Sequence, residues 1–332
     1  MAVSGTVSQD LPTLRHIYDK AFRRAGVPAQ LITAEYLEIA KDLLNETLSE
    51  LVTVGVTLWA NDHILVGMQE GVPTVTMPVG TVSIERVSLR QATVTTGTVT
   101  GTTPTWVLTA TEAVEAQFVG LKVSTAGVYN LGVDTSPDGV VWTQVAAFEY
   151  EALVTGKWNW LEVVPDTASV AYFRVRETSS PAVSFPVTDL CISIGSNERT
   201  LSVIGQDDYV ALPNKRNTGT VNSYWTDRQV DGPVLYLWLA PDATHEDYHL
   251  VVWRKRHIKD VGEMTDRAEI PQRWVGALSW DLAWRLSAEI PDAKKTPEEI
   301  MPFARAAKAL IAPSENDGGS MYIQPQISQY TR

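Results

Sequence analysis

A single cysteine, Cys191, occurs in 332 residues. That excludes an internal disulfide and any fold that depends on oxidation. Basic residues are also scarce: 27 Lys and Arg face 39 Asp and Glu, a formal net charge of −12. Tight nucleic-acid binding needs many cationic phosphate contacts, so this balance argues against it. No apolar run reaches the roughly 18 residues that a membrane-spanning helix needs. Residues Met1 to Asp10 have neither a basic start nor an apolar core, so no signal peptide is expected there. The sequence contains no G-x-S-x-G, P-loop, GxGxxG or C-x-x-C pattern. Phenylalanine is rare, at 6, against 11 Trp and 11 Tyr, a bias that suits large amphipathic contact surfaces. Apolar residues at 44% and charged residues at 20% are near the globular average, so a real core can form. The length favours two domains.

The chain opens helical. Asp10 is placed to cap a helix with Pro12 in its first turn, and Leu14, Ile17, Tyr18, Ala21 and Phe22 share one 3.6-residue face. Gly26 and Pro28 end it. Thr33 caps a second helix, with Glu35 favourable to its dipole and an apolar stripe from Tyr36 to Leu51. The short Gly-Val-Pro turn predicts an antiparallel helical hairpin.

From Val52 the period becomes β-like, broken by Gly67, Gly71, Pro73 and Pro78. A seam follows: residues 91–105, QATVTTGTVTGTTPT, hold eight Thr in fifteen and read as a linker or a weak edge strand. Between Trp106 and Ile194, turn signals separate strand candidates at 118–124, 128–133, 140–148, 158–164, 170–177 and 187–194, the spacing of an antiparallel sandwich. Residues 91–196 carry four basic and ten acidic side chains, half the net charge. After Ser196, strand-like runs resume at Leu201-Ser-Val-Ile, Asp208-Tyr-Val-Ala-Leu, Val221 to Trp225, Val234 to Leu239 and Tyr248 to Trp253. A third helix begins near Pro271, with an apolar girdle that includes Trp274, Trp280 and Trp284, and Pro291 stops it. Thr296-Pro297-Glu298-Glu299 starts a fourth that runs to about Ile311. Residues 313–332 form a polar tail that does not fold alone.

The predicted fold is α+β. A discontinuous helical-bundle domain with short β-segments (residues 1–92 and 197–312) accepts a β-sandwich (93–196) and ends in an extended tail (313–332).

The sharpest enzyme-like match is His245-Glu246-Asp247-Tyr248-His249, an H-E-x-x-H that on a helix would hold zinc. The turn signal Pro241-Asp242 before it and the β-branched Leu250-Val-Val-Trp253 after it predict a strand at His249. There, residues i and i+4 lie about 13 Å apart, too far to share an ion. The basic stretch Trp253-Arg254-Lys255-Arg256-His257-Ile258-Lys259 is read as a contact for an acidic partner or a neighbouring subunit. Tyr224-Trp225-Thr226-Asp227-Arg228 reads as a structural ion pair or a subunit contact, and Cys191 as a small buried hydrophobe. Asp207-Asp208 has no partner at metal-ligand spacing. No catalytic residue, metal or cofactor is expected.

Four segments of the host part resemble head-to-tail adaptor (connector) proteins of tailed bacteriophages. They are the hairpin turn Ala25-Gly26-Val27-Pro28 followed by Leu58-Trp59; Met77-Pro78-Val79-Gly80 leading to Ile84-Glu85-Arg86-Val87; Tyr224 to Gln229, Leu237-Trp238 and Tyr248 to Arg256; and Ile270-Pro271-Gln272-Arg273-Trp274 with its helix. The resemblance covers residues 9–90 and 200–312. It implies a homo-oligomeric ring, typically of twelve subunits, docked under the portal protein in the virion. The ring would continue the DNA channel without specific DNA binding and offer a platform to tail nozzle or fibre proteins. The C-terminal tail would reach the portal, and its Met321, Tyr322, Ile323, Ile327 and Tyr330 suit docking with ordering on binding. Trp253, Arg254, Lys255, Arg256, Trp274, Trp280 and Trp284 are the candidate subunit or partner contacts. A net-negative ring lets DNA slide instead of sticking.

The insert is different. Tyr129 to Trp142, with its Asp138-Gly139-Val-Val-Trp142 turn, and Tyr172-Phe-Arg174-Val-Arg176 resemble a discoidin-type or related carbohydrate-binding sandwich. This implies either a peripheral domain touching virion proteins or a glycan-binding one, through Trp106, Trp158 or Trp160. A glycan-binding tail or decoration protein is therefore the alternative to the adaptor.

Overall fold

A computed structural model describes residues 12–54, 60–163, 169–181, 183–229, 232–245, 248–258 and 266–311. The tail positions Met321, Tyr322, Ile323, Ile327 and Tyr330, together with Asp10, Leu58, Trp59, Glu246, Asp247 and Lys259, lie outside the described residues. The helices are α1 (Leu14–Ala25), α2 (Ala34–Val54), α3 (Gln206–Ala211), α4 (Val275–Glu289) and α5 (Pro297–Ile311). The strands are β1 (Asn61–Gly67), β2 (Thr74–Thr76), β3 (Thr81–Thr95), β4 (Gly97–Thr102), β5 (Thr105–Val114), β6 (Phe118–Val123), β7 (Gly127–Ser136), β8 (Thr143–Leu153), β9 (Asn159–Glu162), β10 (Val170–Glu177), β11 (Val187–Thr200), β12 (Ser202–Val203), β13 (Ser223–Asp227), β14 (Val234–Trp238) and β15 (Tyr248–Arg256). The class is α+β with largely antiparallel sheets, the short β12–β13 pair being parallel.

The chain forms two compact units, divided at 61/62 and 255/256. The first draws on both ends of the chain. Its α4 packs against α1, α2 and α5. Helix α1 buries Leu14, Ile17, Tyr18, Ala21, Phe22 and Ala25, the apolar face read from the sequence plus one further turn. Its N-cap is Thr13, in extended conformation (φ −72°, ψ 148°), and not Asp10: Thr13 bridges to Arg267, and Leu14 N–H donates to Asp266 O, so residue 13 is held out of the helix. Gly26 ends α1 at φ 81°, a left-handed conformation that side chains other than glycine adopt at a cost. Thr33 Oγ1 accepts from Tyr36 N–H at 3.3 Å, and Glu299 Oε2 accepts from Thr296 N–H at 3.2 Å, each a reach across the first turn that satisfies an orphan donor. Arg24 joins α1 to α4: its guanidinium donates to Gly276 O at 2.8 Å and Ser279 Oγ at 2.7 Å and lies 4.3 Å over the Trp280 ring. On α4, the buried Asp281 pairs with Lys308 of α5 at 2.9 Å.

The second unit holds three sheets. A six-stranded sheet has the order β1-β15-β3-β11-β6-β9, a five-stranded sheet β4-β5-β10-β7-β8, and a four-stranded sheet β12-β13-β14-β2. The sandwich core comprises Leu108, Val119, Leu121, Leu131, Val133, Phe173, Val175, Leu190 and Ile192 among others. A second core comprises Val87, Leu89, Tyr224, Leu235, Leu237, Leu250 and Val252 among others. On β6 and β11, residues between the sandwich-facing ones, Phe118 and Cys191, join Trp158, Trp160 and Ala92 in a third cluster. Strands buried on both faces read as continuous apolar runs, as Phe118 to Leu121 does before Lys122 interrupts it.

The seam is strand, not linker. β3 continues to Thr95 inside the six-stranded sheet, pairing Ala92 to Thr95 with β11, and β4 is the edge of the five-stranded sheet, pairing with β5. Threonine is β-branched and suits a pleated surface even where no large side chain marks a core. Asp208-Tyr-Val-Ala-Leu, expected as strand, lies largely in α3, with Asp207 and Asp208 in its first turn. Acids there favour a helix start, and a short apolar run does not distinguish helix from strand.

Candidate functional site

A pocket of about 270 Å³ lies within the second unit, lined by Met68, Gln69, Glu70, Lys122, Gly156, Lys157 and Trp158. Two clamps build it. The first is Gly67, at the end of β1. A Cβ there would sit 1.9 Å from Trp158 O, so glycine alone lets this backbone close on the Trp158 backbone and bring Met68 to Glu70 alongside. Gly71 N–H then anchors the loop to Pro241 O at 2.8 Å. The second clamp is Asn159. Its Oδ1 accepts from Val154 N–H at 2.9 Å, and its Nδ2 donates to Val154 O at 2.9 Å and Leu121 O at 3.2 Å. The turn that presents Lys157 is thereby tied to β6, which carries Lys122.

Lys122 Nζ lies 4.6 Å over the Trp158 ring. Burial pushes the Lys157 ammonium below the usual lysine range. No carboxylate lies within ion-pair distance of Lys157 among the described residues.

Trp158 and Trp160 are not the exposed platforms expected. They are 8% and 4% exposed, because the face of β6 and β9 opposite the sandwich core is itself covered, and only Trp158 borders the pocket. Trp106 is partly buried against the sandwich core and donates its indole N–H to Phe185 O at 2.8 Å.

The two motifs of the insert meet on the five-stranded sheet. Phe173 and Val175 point into the core, while Arg174 and Arg176 each reach the buried Asp134 (2.7 and 2.8 Å). The Asp138 carboxylate accepts from Val140 and Val141 N–H, both at 2.9 Å. Trp142 of the same turn lies 4.5 Å under the Arg174 guanidinium. These contacts tie β7, β10 and the 138–142 turn together within the five-stranded sheet.

The basic stretch is balanced inside the molecule. Arg254 binds Asp62 at 2.7 Å, Lys255 binds Glu85 at 3.1 Å, and Arg256 donates to Glu269 at 3.0 Å. Sequence reading missed these acids because each is distant along the chain or across a turn. Trp253 remains 41% exposed, stacked on His63 at 4.9 Å. Of the α4 aromatics, Trp274 is 1% exposed, a core residue and not a partner contact, since its position before the helix turns it inward. Trp280 is half-buried, stacked on Phe303 at 5.1 Å, and Trp284 is half-buried beside Arg285. Trp225 stacks with Tyr236 at 4.9 Å and Tyr209 at 5.4 Å, an aromatic cluster that no spacing in the sequence announces.

His249 lies on β15, fully buried, so the H-E-x-x-H residues do not form the helical zinc motif. Its ring packs against Phe118 (5.2 Å) and Trp160 (5.4 Å). Neither nitrogen has a hydrogen-bond partner among the described residues. Burial, aided by the Arg90 charge and opposed by Glu198, pushes its pKa down to about 4. No group of three or more His, Cys, Asp or Glu placed to hold a metal ion occurs among the described residues.

No protein-family model and no curated protein matches the sequence. Solved structures with some likeness include CBM32-1 from a family 31 glycoside hydrolase of Clostridium perfringens (14% identity, 27% of this chain and 68% of that chain, TM-score 0.23). A family 89 glycoside hydrolase of Clostridium perfringens is another (11% identity, 40% of this chain and 15% of that chain, TM-score 0.24). A third is a rhamnosidase from Novosphingobium sp. PP1Y (13% identity, 77% of this chain and 28% of that chain, TM-score 0.22). This chain spans well under a third of the latter two. Likenesses at these scores carry no argument, and the sandwich rests on its own strand order and core.

Proposed function

We propose that this chain is a structural, non-enzymatic virion protein: a head-to-tail adaptor subunit that forms a ring under the portal, continues the DNA channel and offers the tail its attachment platform. The observation that carries this reading is the assembly of α1, α2, α4 and α5 from both ends of the chain into one unit, with residues 62–255 between them. This supports a helical host part built from both ends of the chain, with the β-segments of residues 62–92 and 197–255 in the same unit as the sandwich. The acidic balance supports passage of DNA without adhesion. Half-exposed Trp253 in the β-rich unit, and separately Trp280 and Trp284 on α4 of the helical unit, are the aromatic side chains left for neighbouring copies, and residues 313–332 are assigned to the portal.

Light scattering of the full chain, alone and with its cognate portal, tests this. A ring or a portal-bound ring is expected, and a chain ending at Ala312 is expected to lose the portal. A monomer that ignores the portal overturns the adaptor, and normal docking of the truncated chain overturns the role of the tail. Trp253→Ala is expected to change stability by less than about 1 kcal/mol, as surface substitutions do, while weakening self-association. Unchanged assembly in that variant removes Trp253 from the interface.

The second reading, a glycan-binding tail or decoration protein, is favoured by the pocket beside Trp158, which mixes amide, carboxylate and ammonium groups with an aromatic residue.

A further inference from the structure

We propose that the outward ridge of α1, cationic at Lys20 and Arg23, docks head-to-tail on the outward ridge of α2, acidic at Glu35, Glu38 and Asp42, of a second copy of this chain. This inference rests on the adaptor reading and names the contact between neighbouring subunits.

Each ridge follows from helical spacing. Lys20 and Arg23 lie on the side of α1 away from its buried residues. Lys294 and Lys295 extend that basic surface at the end of the helix, where Lys295 N–H donates to Ala25 O at 3.3 Å and Lys294 lies against Gly26. On α2, Glu35, Glu38 and Asp42 recur at steps of three and four residues, so they share one face, and all three are exposed. None of these seven side chains has an ion-pair partner among the described residues. Like charges four residues apart, as Glu38 and Asp42 are, repel and weaken a helix unless a counter-charge covers them.

One copy does not supply that cover. Tyr18 marks the side of α1 that faces α2: burial first, and then the charges of Glu38 and Asp42, push its hydroxyl up to about 12. At 3.6 residues per turn, Lys20 points about 200° and Arg23 about 140° around the helix from Tyr18. The cations therefore turn away from the acids of their own chain. The other basic stretch does not compete for those acids, since Arg254, Lys255 and Arg256 are balanced by Asp62, Glu85 and Glu269. With a net charge of −12, two copies repel overall, and a local pair of complementary faces selects one orientation of approach. Contact between two different faces is heterologous, the kind that propagates head to tail and closes into a ring. Charges of this sort fix direction and register more than affinity, and the half-buried Trp280 and Trp284 of the same unit remain to add apolar area.

Light scattering of the full chain, alone and with its cognate portal, tests the proposal in wild type, Lys20→Glu, Asp42→Lys and the double variant. Both single changes suit the fold. Lys20→Glu places an acid three and four residues before Arg23 and Arg24, and Asp42→Lys places a cation between Glu38 and Glu46, so circular dichroism is expected to show intact helices. Each single variant is expected to need about tenfold more protein to assemble, the double variant to regain at least part of the loss, and added salt to weaken the wild-type assembly. Single variants that assemble as the wild type does overturn the contact while the adaptor reading stands. Loss in both singles with no recovery in the double overturns the second copy as the occupant. A two-fold dimer that does not grow overturns the head-to-tail arrangement. A wild-type chain that stays monomeric and ignores the portal overturns the adaptor reading and this contact with it.

Discussion

Trp274→Ala is expected to destabilise the helical unit by about 3–5 kcal/mol, the range for truncating a fully buried large aromatic to alanine. The side chain is 1% exposed and is the bulkiest of the fully buried side chains among the described residues. It sits in the turn that leads into α4, the helix in contact with α1, α2 and α5. Truncation therefore removes packing where the N-terminal and C-terminal segments meet, and the rest of the unit cannot collapse fully into the space. Urea denaturation followed by far-ultraviolet circular dichroism measures the loss. Trp253→Ala, at an exposed position, is the internal control. A Trp274 variant no less stable than the Trp253 variant would show that the indole is not in the core, and would return Trp274 to the candidate contacts.

His249→Leu is expected to flatten the acid limb of the stability curve. The imidazole is neutral in the folded chain down to about pH 4, whereas in the unfolded chain it protonates near its ordinary 6.5. Above 6.5 neither state binds the proton, and the residue has no pH-dependent effect. As pH falls from 6.5 to 4 the unfolded state alone takes up the proton, so stability falls by about 1.4 kcal/mol per pH unit, roughly 3 kcal/mol in all. Below about 4 both states are protonated and the decline from this residue stops. Carboxylates such as Glu177 and Glu198, held below their usual range by hydrogen bonds, add acid sensitivity of their own. That part is common to both proteins and cancels in the difference between them. At pH 7 the substitution is expected to be neutral or stabilising, because it removes two buried nitrogens that lack hydrogen-bond partners among the described residues and adds apolar packing against Phe118 and Trp160. Parallel acid limbs for wild type and variant would contradict a buried neutral His249.

Much was legible in the sequence because local chemistry decided it. The face of α1 follows from 3.6-residue spacing, its end from Gly26, and the starts of α2 and α5 from Thr33 and Thr296. The existence of six strands between Phe118 and Ile194 follows from the turn residues between them, but β8 lies at 143–153 and β11 runs on to Thr200 across the boundary expected at 196, because pairing with β3 continues it. Strand at His249 follows from its neighbours, which outweighed a five-residue motif. Where two structures suit the same local pattern, the sequence leaves the choice open. The threonine seam could be linker or strand, and pairing with β11 and β5 made it strand. Residues 208–212, expected as strand, lie largely in a helix, because a short apolar run suits either and two acids favour a helix start.

Side-chain fate depended most on contacts distant along the chain. Arg254, Lys255 and Arg256 form a basic cluster in one dimension. In three, Asp62, Glu85 and Glu269 balance them, and ion pairing depends on distance in space, not separation along the chain. Trp158 and Trp160 look like sugar platforms until the second face of the six-stranded sheet is covered as well. The pocket has no sequence signature at all. Gly67, Gln69, Lys122, Lys157 and Asn159 come from three separate stretches, and only the close approach of two backbones makes them neighbours. What the sequence determined by itself was the periodicity, the caps and the acidity, because these depend on residues within a few positions of one another. Which cations are balanced, which indoles are buried and where Lys122 and Lys157 converge were decided by the tertiary structure alone, because burial and charge compensation are properties of surroundings assembled from distant segments.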